Sequence, residues 1–301
     1  MSRLFGVAGV QMSVVPWDAN ATVDKMSDVA LNIQKLFPWV QLVMFHELVV
    51  TGLQQFVTPE DREWWKKNSE SIPGPLTDRL CGLARQAHQW LVPGSMWEWE
   101  KDCLYNTAIA ISPEGEIVAK YRKMFPWLPY ESGTTPGDQF CVFDIPDAGR
   151  FGLCICYDMW FPEVSRQLAW MGAEVILQPT LTPTSDRELE LTMARANALF
   201  NQCYFFSING IGQWGGGRST IIDPDGRILQ EAGTNQTFLT EMIDLDHTTR
   251  TREYGTLGLA QTLKQLRDSG HAFPMYAGQK VARGSFDQLG ELKLHRKLNI
   301  G

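Results

Sequence analysis

The hydrophobic period of this chain switches repeatedly after residue 150, and that order is the strongest constraint on its fold. "FGLCI" reads as a buried strand. Val164, Leu168 and Met171 then recur at helical spacing, and "EVILQPT" returns to strand. Leu189, Met193, Ala196 and Phe200 form a second helical stripe, followed by the strand "YFFSING". Strand, helix, strand, helix, strand implies layers, so the fold class is α/β.

The punctuation agrees. Pro162 suits the first turn of its helix, where a missing N–H is harmless, and Gly172 suits the end. Ser185 and Glu188 fit a capping box at the start of the second helix. The first half alternates in the same way. "LFGVAGVQM" is strand-like, and Val23, Met26, Ala30, Ile33 and Phe37 follow helical spacing. "VQLVMFHELVVTG" is a buried strand running into a loop. Leu76, Leu80, Leu83 and Ala87 form a helical stripe, and "QWLVPGSMWEW" returns to strand. Two segments, "NTAIAISPEGEIVAKYRK" and "GRSTIIDPDGRILQEAG", each set a Pro-x-Gly turn between extended arms and are expected to be hairpins. Their likeness is read as a shared turn solution, not a duplication.

No linker divides residues 1–270, which are expected to form one domain. Residues 271–301 have weak periodicity and are expected to be a surface arm or a subunit contact. Hydrophobic residues at 44% and charged residues at 20% suit a globular core. The net charge of −7 argues against a nucleic-acid groove or an anionic membrane surface. No apolar run reaches the roughly 18 residues of a spanning helix. "MSRLFGVAGVQM" lacks a signal-peptide core and is expected to be the first strand. The scattered cysteines, Cys81, Cys103, Cys141, Cys154, Cys156 and Cys203, read as reduced thiols of a cytoplasmic protein.

Cys156 stands where a strand gives way to a turn and a helix, a place from which a side chain can reach a cleft. A helix N-terminus there would favour the thiolate. Cys154 lies within the strand and reads as a small buried hydrophobe, the ordinary fate of a free cysteine. A metal at Cys154-x-Cys156 has no second Cys/His cluster to complete it, so neither metal nor cofactor is expected. For the thiol's proton there are two acceptors near a strand end, His46 and Glu47. Lys123 closes a basic cluster with Lys120 and Arg122. The run "MFPWLPYE" after it interleaves aromatics and prolines, as pocket-shaping loops do, and ends at Glu131.

Glu47, Lys123 and Cys156, in the stretches "FHELVVTG", "YRKMFPWLPYE" and "CYDMWFPE", resemble the catalytic set of the nitrilase, or carbon–nitrogen hydrolase, superfamily. The resemblance covers roughly residues 3–245. "RKMFPWLPYE" is most similar to the aliphatic-amidase branch, whereas Tyr157-Asp158 and "LQPTLTPT" depart from it. The resemblance implies a four-layer αββα sandwich and a homodimer or higher homo-oligomer, with Trp170 and Met171 on the helix after the cysteine near the contact.

It also implies roles. Glu47 would be the base, Cys156 the nucleophile, and Lys123 an oxyanion donor beside the backbone N–H of Tyr157. Glu131 would be a second glutamate near the lysine. Trp127, Tyr130, Tyr157 and Thr180 would bind substrate, and His46 would pack structurally. The expected activity is hydrolysis of a small aliphatic-type amide to acid and ammonia through a thioester. Alternatives sharing the residues are N-carbamoyl hydrolysis and nitrile hydrolysis. The non-enzyme alternative is a silent scaffold.

Overall fold

The computed structural model describes residues 2–51, 62–128, 130–276 and Leu292. In the first sheet, β1 (Leu4–Gln11), β2 (Leu42–Met44) and β3 (Trp90–Val92) run parallel. They are connected through α1 (Ala19–Leu36), and through α2 (Arg62–Asn68) and α3 (Pro75–Ala87). β4 (Ser95–Glu100), β5 (Cys103–Ile111) and β6 (Ile117–Arg122) follow as antiparallel strands around β5. "QWLVPGSMWEW" is thus two strands, broken at Pro93-Gly94, not one.

The second sheet repeats the plan. β7 (Cys141–Ile145) is antiparallel to β8 (Gly149–Leu153). α4 (Pro162–Trp170) leads to β9 (Val175–Thr180), and α5 (Arg187–Asn201) to β10 (Tyr204–Asn209), so that β8, β9 and β10 run parallel. After the short ribbon of β11 (Ile211–Gly212) and β12 (Gly215–Gly216) comes the hairpin of β13 (Thr220–Ile222) and β14 (Ile228–Glu231). β15 (Thr237–Asp244) returns antiparallel to β1, and α6 (Leu245–Tyr254) and α7 (Thr262–Asp268) complete the order. Both expected hairpins form, each beside a parallel trio. Their turns share geometry: Gly115 N donates to Ser112 O at 2.8 Å, and Gly226 N to Asp223 O at 2.9 Å, both glycines at positive φ.

Alternation along the strands builds the layers. Phe5, Val7, Leu42, Met44, Phe151, Leu153, Val175, Leu177 and Phe206 face inward between the sheets. Phe5 and Phe151 meet there at 5.6 Å between ring centroids. Their neighbours Ala8, Val10 and Val43 face α1 and α3, with Val23, Met26, Ile33 and Leu80. Cys154, Ile176 and Phe205 face α4 and α5. The result is the expected αββα sandwich. Each large inward side chain contributes about 1.5–3 kcal/mol by leaving water.

α5 departs from its expected face. Leu189 and Phe200 are 55% and 58% exposed, while Arg187, Glu190, Ala194, Asn197, Ala198 and Asn201 turn inward. The inner face is mixed: Ala194 and Ala198 pack on Cys154, Ile176 and Phe205, while Arg187, Glu190 and Asn197 are held by buried hydrogen bonds. The capping box is absent too: Asp186 is the N-cap, without a side-chain bond, and Glu188 pairs with Arg218. α4 keeps its expected ends, with Pro162 first and Gly172 at positive φ just after, and buries Val164 and Leu168. Trp170 is 52% exposed. Of the C-terminal extension, residues 277–291 and 293–301 lie outside the described residues. Its first part forms a turn at Pro274–Tyr276, where Tyr276 Oη donates to Glu163 Oε1 at 2.5 Å.

Candidate active site

Three strand ends deliver Glu47, Lys123 and Cys156 to one place. Glu47 follows β2 in a turn that crosses Gly94. That residue has φ +73°, and a Cβ there would come within 1.8 Å of His46 O, so glycine is required. Leu48 N donates to Ser95 Oγ at 2.9 Å, and Glu47 N to Thr180 O at 3.3 Å, which ties the turn to the second sheet. Lys123 follows β6, its N–H bonded to Asn106 O at 2.9 Å. Cys156 opens a short 3-10 helix at φ +47°. A non-glycine residue in such a conformation costs on the order of 1–3 kcal/mol and needs neighbours to hold it.

Asp158 supplies much of that hold. Its Oδ2 accepts from Ile155 N at 2.8 Å and Tyr121 Oη at 2.7 Å, and its Oδ1 from Phe125 N at 2.9 Å. One buried carboxylate therefore pins both the cysteine turn and the loop after Lys123. Gln178 Nε2 donates to Cys156 O at 3.1 Å from the neighbouring strand.

The polar cluster is tight and dry. Lys123 Nζ lies 3.0 Å from Glu47 Oε1 and 2.6 Å from Glu131 Oε2. Asn106 Nδ2 donates to the same two glutamates, at 2.8 Å to Glu47 Oε1 and 3.0 Å to Glu131 Oε1. Trp127 N donates to Glu131 Oε2 at 2.6 Å. Glu131 thus takes three donors. Glu47 keeps Oε2 buried without a hydrogen-bond partner, with the Cys156 thiol as a neighbour of its carboxyl. An ammonium has three donors, and two of those on Lys123 are spent on the glutamates, which leaves one.

Burial is the largest single influence on each group. It raises Glu47 to about 7, helped by Glu131 and opposed by Lys123 and the thiol. It would lower Lys123, but Cys156, Glu131 and Glu47 outweigh it and lift the ammonium well above its usual value. Burial, with Glu47 and Glu190, pushes the Cys156 thiol well above the usual range against Lys123 and a hydrogen bond to Thr180. The pull of the helix N-terminus toward a thiolate is outweighed by burial, so the thiol keeps its proton, in line with the sequence reading that its proton needs an acceptor. Burial drops His46 to about 4, so its ring is neutral, with Nδ1 2.8 Å from Glu47 O.

A cavity of about 200 Å³ opens beside Cys156, lined by Trp127, Tyr157, Trp160, Leu181, Thr182 and Glu190 among others. Trp127 and Tyr157 thus lie where substrate contact was expected. Tyr130 stacks on Trp127, with centroids 4.7 Å apart, and is not among the lining residues. Thr180 lies beside Cys156 and Thr182 (3.1 Å) but does not line the cavity either.

Sequence reasoning overlooked Asn106, Asp158 as a brace, and the buried pair Arg187–Glu190 at 2.9 Å. A polar Asn within the apolar run "YNTAIAI", and Arg and Glu at i, i+3, were the available signals. Among the described residues, Asp223, Asp225 and His247 form a metal-compatible group within 4.8 Å. It lies at the β13–β14 turn, where Asp223 Oδ1 already takes the N–H groups of Asp225 and Arg227.

A profile of the carbon–nitrogen hydrolase family matches residues 6–253. Omega-amidase NIT2 of Homo sapiens is 32% identical over 216 residues, covering 65% of this chain and 76% of that protein. Formamidase of Bacillus cereus (strain Q1) is 30% identical over 242 residues, covering 77% and 71%. Among solved structures, Saccharomyces cerevisiae Nit3, a member of branch 10 of the nitrilase superfamily, superposes with a TM-score of 0.74 at 26% identity. That superposition covers 84% of this chain and 94% of Nit3. The matched family, the αββα sandwich and the meeting of Glu47, Lys123 and Cys156 agree: this chain belongs to the carbon–nitrogen hydrolase family of the nitrilase superfamily.

Proposed function

We propose that the protein is an amidase that hydrolyses a small carboxamide through a thioester on Cys156. The observation that carries this is a protonated, buried thiol beside a base of pKa about 7, under a small cavity. A base with its pKa near working pH transfers protons in both directions. Glu47 takes the thiol proton as sulfur attacks the amide carbon. The carbonyl electron pair moves to oxygen, which the third N–H of Lys123 and the backbone N–H of Tyr157 receive. Losing one such donor costs about 3–4 kcal/mol. Glu47 then gives its proton to the departing nitrogen, the C–N bond breaks, and ammonia leaves a thioester. Glu47 next takes a proton from water, the hydroxide attacks the thioester, and sulfur leaves, recovering its proton from Glu47. Glu131 holds the lysine, and Asn106 bridges both carboxylates.

Trp127 and Tyr157 form the acyl wall, and the cavity volume favours short chains. The omega-amidase and formamidase relatives support the amide over the carbamoyl and nitrile alternatives. The test is product analysis with matched short amides, N-carbamoyl compounds and nitriles. Ammonia and acid from the amide support the reading; CO2 release or nitrile turnover as the faster reaction contradicts it.

Residues 1–270 are proposed as the catalytic domain and 271–301 as an extension. The exposed Trp170 and Phe200 on α4 and α5 support pairing with a second copy of the chain. No described helix is long and apolar enough to cross a membrane. The six free cysteines support a reducing, cytoplasmic setting, and the acidic net charge supports a small-molecule partner over nucleic acid.

A further inference from the structure

Two kinds of side chain line the cavity beside Cys156. Trp127, Tyr157 and Trp160 are aromatic; Thr182, Asp186 and Glu190 are polar, and the last two make part of the wall acidic. Glu190 is fixed. Its Oε2 takes Arg187 Nη1 at 2.9 Å and its Oε1 takes Thr182 Oγ1 at 2.9 Å, so the carboxylate cannot turn away from the cavity. Arg187 does not line the cavity. Its Nη1 also reaches Ser207 Oγ at 2.9 Å, and its Nη2 reaches Arg218 O at 2.8 Å, and neither residue lines the cavity. Among the described residues lining the cavity, no lysine or arginine is present. The cation nearest the sulfur, Lys123, is already held by two glutamates.

We propose that this acidic wall excludes carboxylate-bearing acyl chains, so that the substrates are amides whose chain is neutral or carries an ammonium group, with Glu190 and Asp186 as the specificity-determining residues. The inference rests on the amidase reading and narrows it. A chain carboxylate would be desolvated against the fixed Glu190 and the nearby Asp186, with no lysine or arginine in the lining to meet it. An ammonium would find acceptors already oriented, since each Glu190 oxygen retains a lone pair beyond its single hydrogen bond. A neutral amide terminus would donate to the same oxygens. The charge on the cavity wall thus acts on the chain end, while the Glu47–Lys123 side acts on the reacting amide.

The test uses the full chain and three substrates of matched length: succinamate, succinamide and 4-aminobutanamide. Like charges brought together cost enough that kcat/KM for succinamide and 4-aminobutanamide should exceed that for succinamate by about a hundredfold. Asp186→Asn removes one acid at a partly exposed N-cap that makes no capping bond, so the fold is kept. It should raise succinamate relative to succinamide by about tenfold, a single like-charge contact having been relieved. Glu190→Gln should do the same and lower the preference for 4-aminobutanamide. Turnover led by succinamate in the wild-type protein overturns the inference alone. So does an unchanged succinamate/succinamide ratio in a folded Asp186→Asn variant. Failure of all three amides to acylate Cys156 overturns the amidase reading, and this inference with it.

Discussion

Cys154 and Cys156 stand two residues apart on the same strand exit, both are buried, and burial lifts both thiols well above their usual pKa. They differ in neighbours. Cys154 points into the layer under α4 and α5, against Val164, Leu168, Ile176 and Phe205. The charges that act on it, Asp158, Cys203 and Cys156, all favour the neutral thiol. Cys156 meets a base, an ammonium and a hydroxyl in Glu47, Lys123 and Thr180. Burial alone says nothing about which thiol reacts. What separates them is the positive φ of Cys156, which turns its side chain out of the layer it would otherwise enter and toward the ends of β2 and β6.

Substitution breaks the comparison most sharply. Cys156→Ala should lower kcat by about 10⁵–10⁶, as removal of a nucleophile does. Cys154→Ala should leave kcat within severalfold and cost about 1 kcal/mol of stability, read as a small drop in Tm. Glu47→Gln keeps the size of the base but cannot take the thiol proton. It should lower kcat/KM by about 10²–10⁴, with KM little changed. Activity in Glu47→Gln near that of the wild type would mean that a group other than Glu47 takes the thiol proton.

The pH profile sharpens the same point. Glu47 must be ionised to act, and burial sets its pKa at about 7. kcat/KM should therefore fall about tenfold per pH unit below that value, and hold level on the alkaline side until the lysine or thiol titrates. The linkage sign follows: a carboxyl raised by folding stabilises the fold at acid pH, and that contribution is lost as pH rises through about 7. The protein's best activity and the largest stabilisation from Glu47 thus fall on opposite sides of its pKa.

Asp158 touches both cysteines' surroundings, so it gives a smaller effect than the Cys156 or Glu47 variants and a diagnostic one. Asp158→Asn places an NH2 where a carboxylate oxygen accepts backbone or tyrosine donors. A lost buried acceptor costs about 1–3 kcal/mol. kcat should drop by about tenfold as the Cys156 turn loosens, since modest misplacement of a reacting atom is enough for that. If only Tm falls and kcat does not, Asp158 braces the fold without positioning the sulfur.

The layers were legible because strands that face two different cores must alternate, and helices over a sheet must show a stripe. Val23, Met26, Ala30 and Ile33 announced α1 in this way and are buried as expected. α5 misled because much of its inward face is polar or small. Arg187, Glu190 and Asn197 are buried there by hydrogen bonds that hydrophobic periodicity cannot register. The triad was legible only as three motifs in order. No spacing rule brings residues 47, 123 and 156 together; the two sheets do, through bonds such as Glu47 N to Thr180 O. Asn106 and Asp158 stayed hidden because a buried polar residue in a strand or turn declares itself only when its partners are in place.

The most direct measurement is intact-protein and peptide mass after acid quench during turnover of a short amide. The mass added should equal the amide less ammonia, carried on the peptide with Cys156, present in Cys154→Ala and absent from Cys156→Ala. An adduct on Cys154, or hydrolysis that continues in Cys156→Ala, would contradict the account.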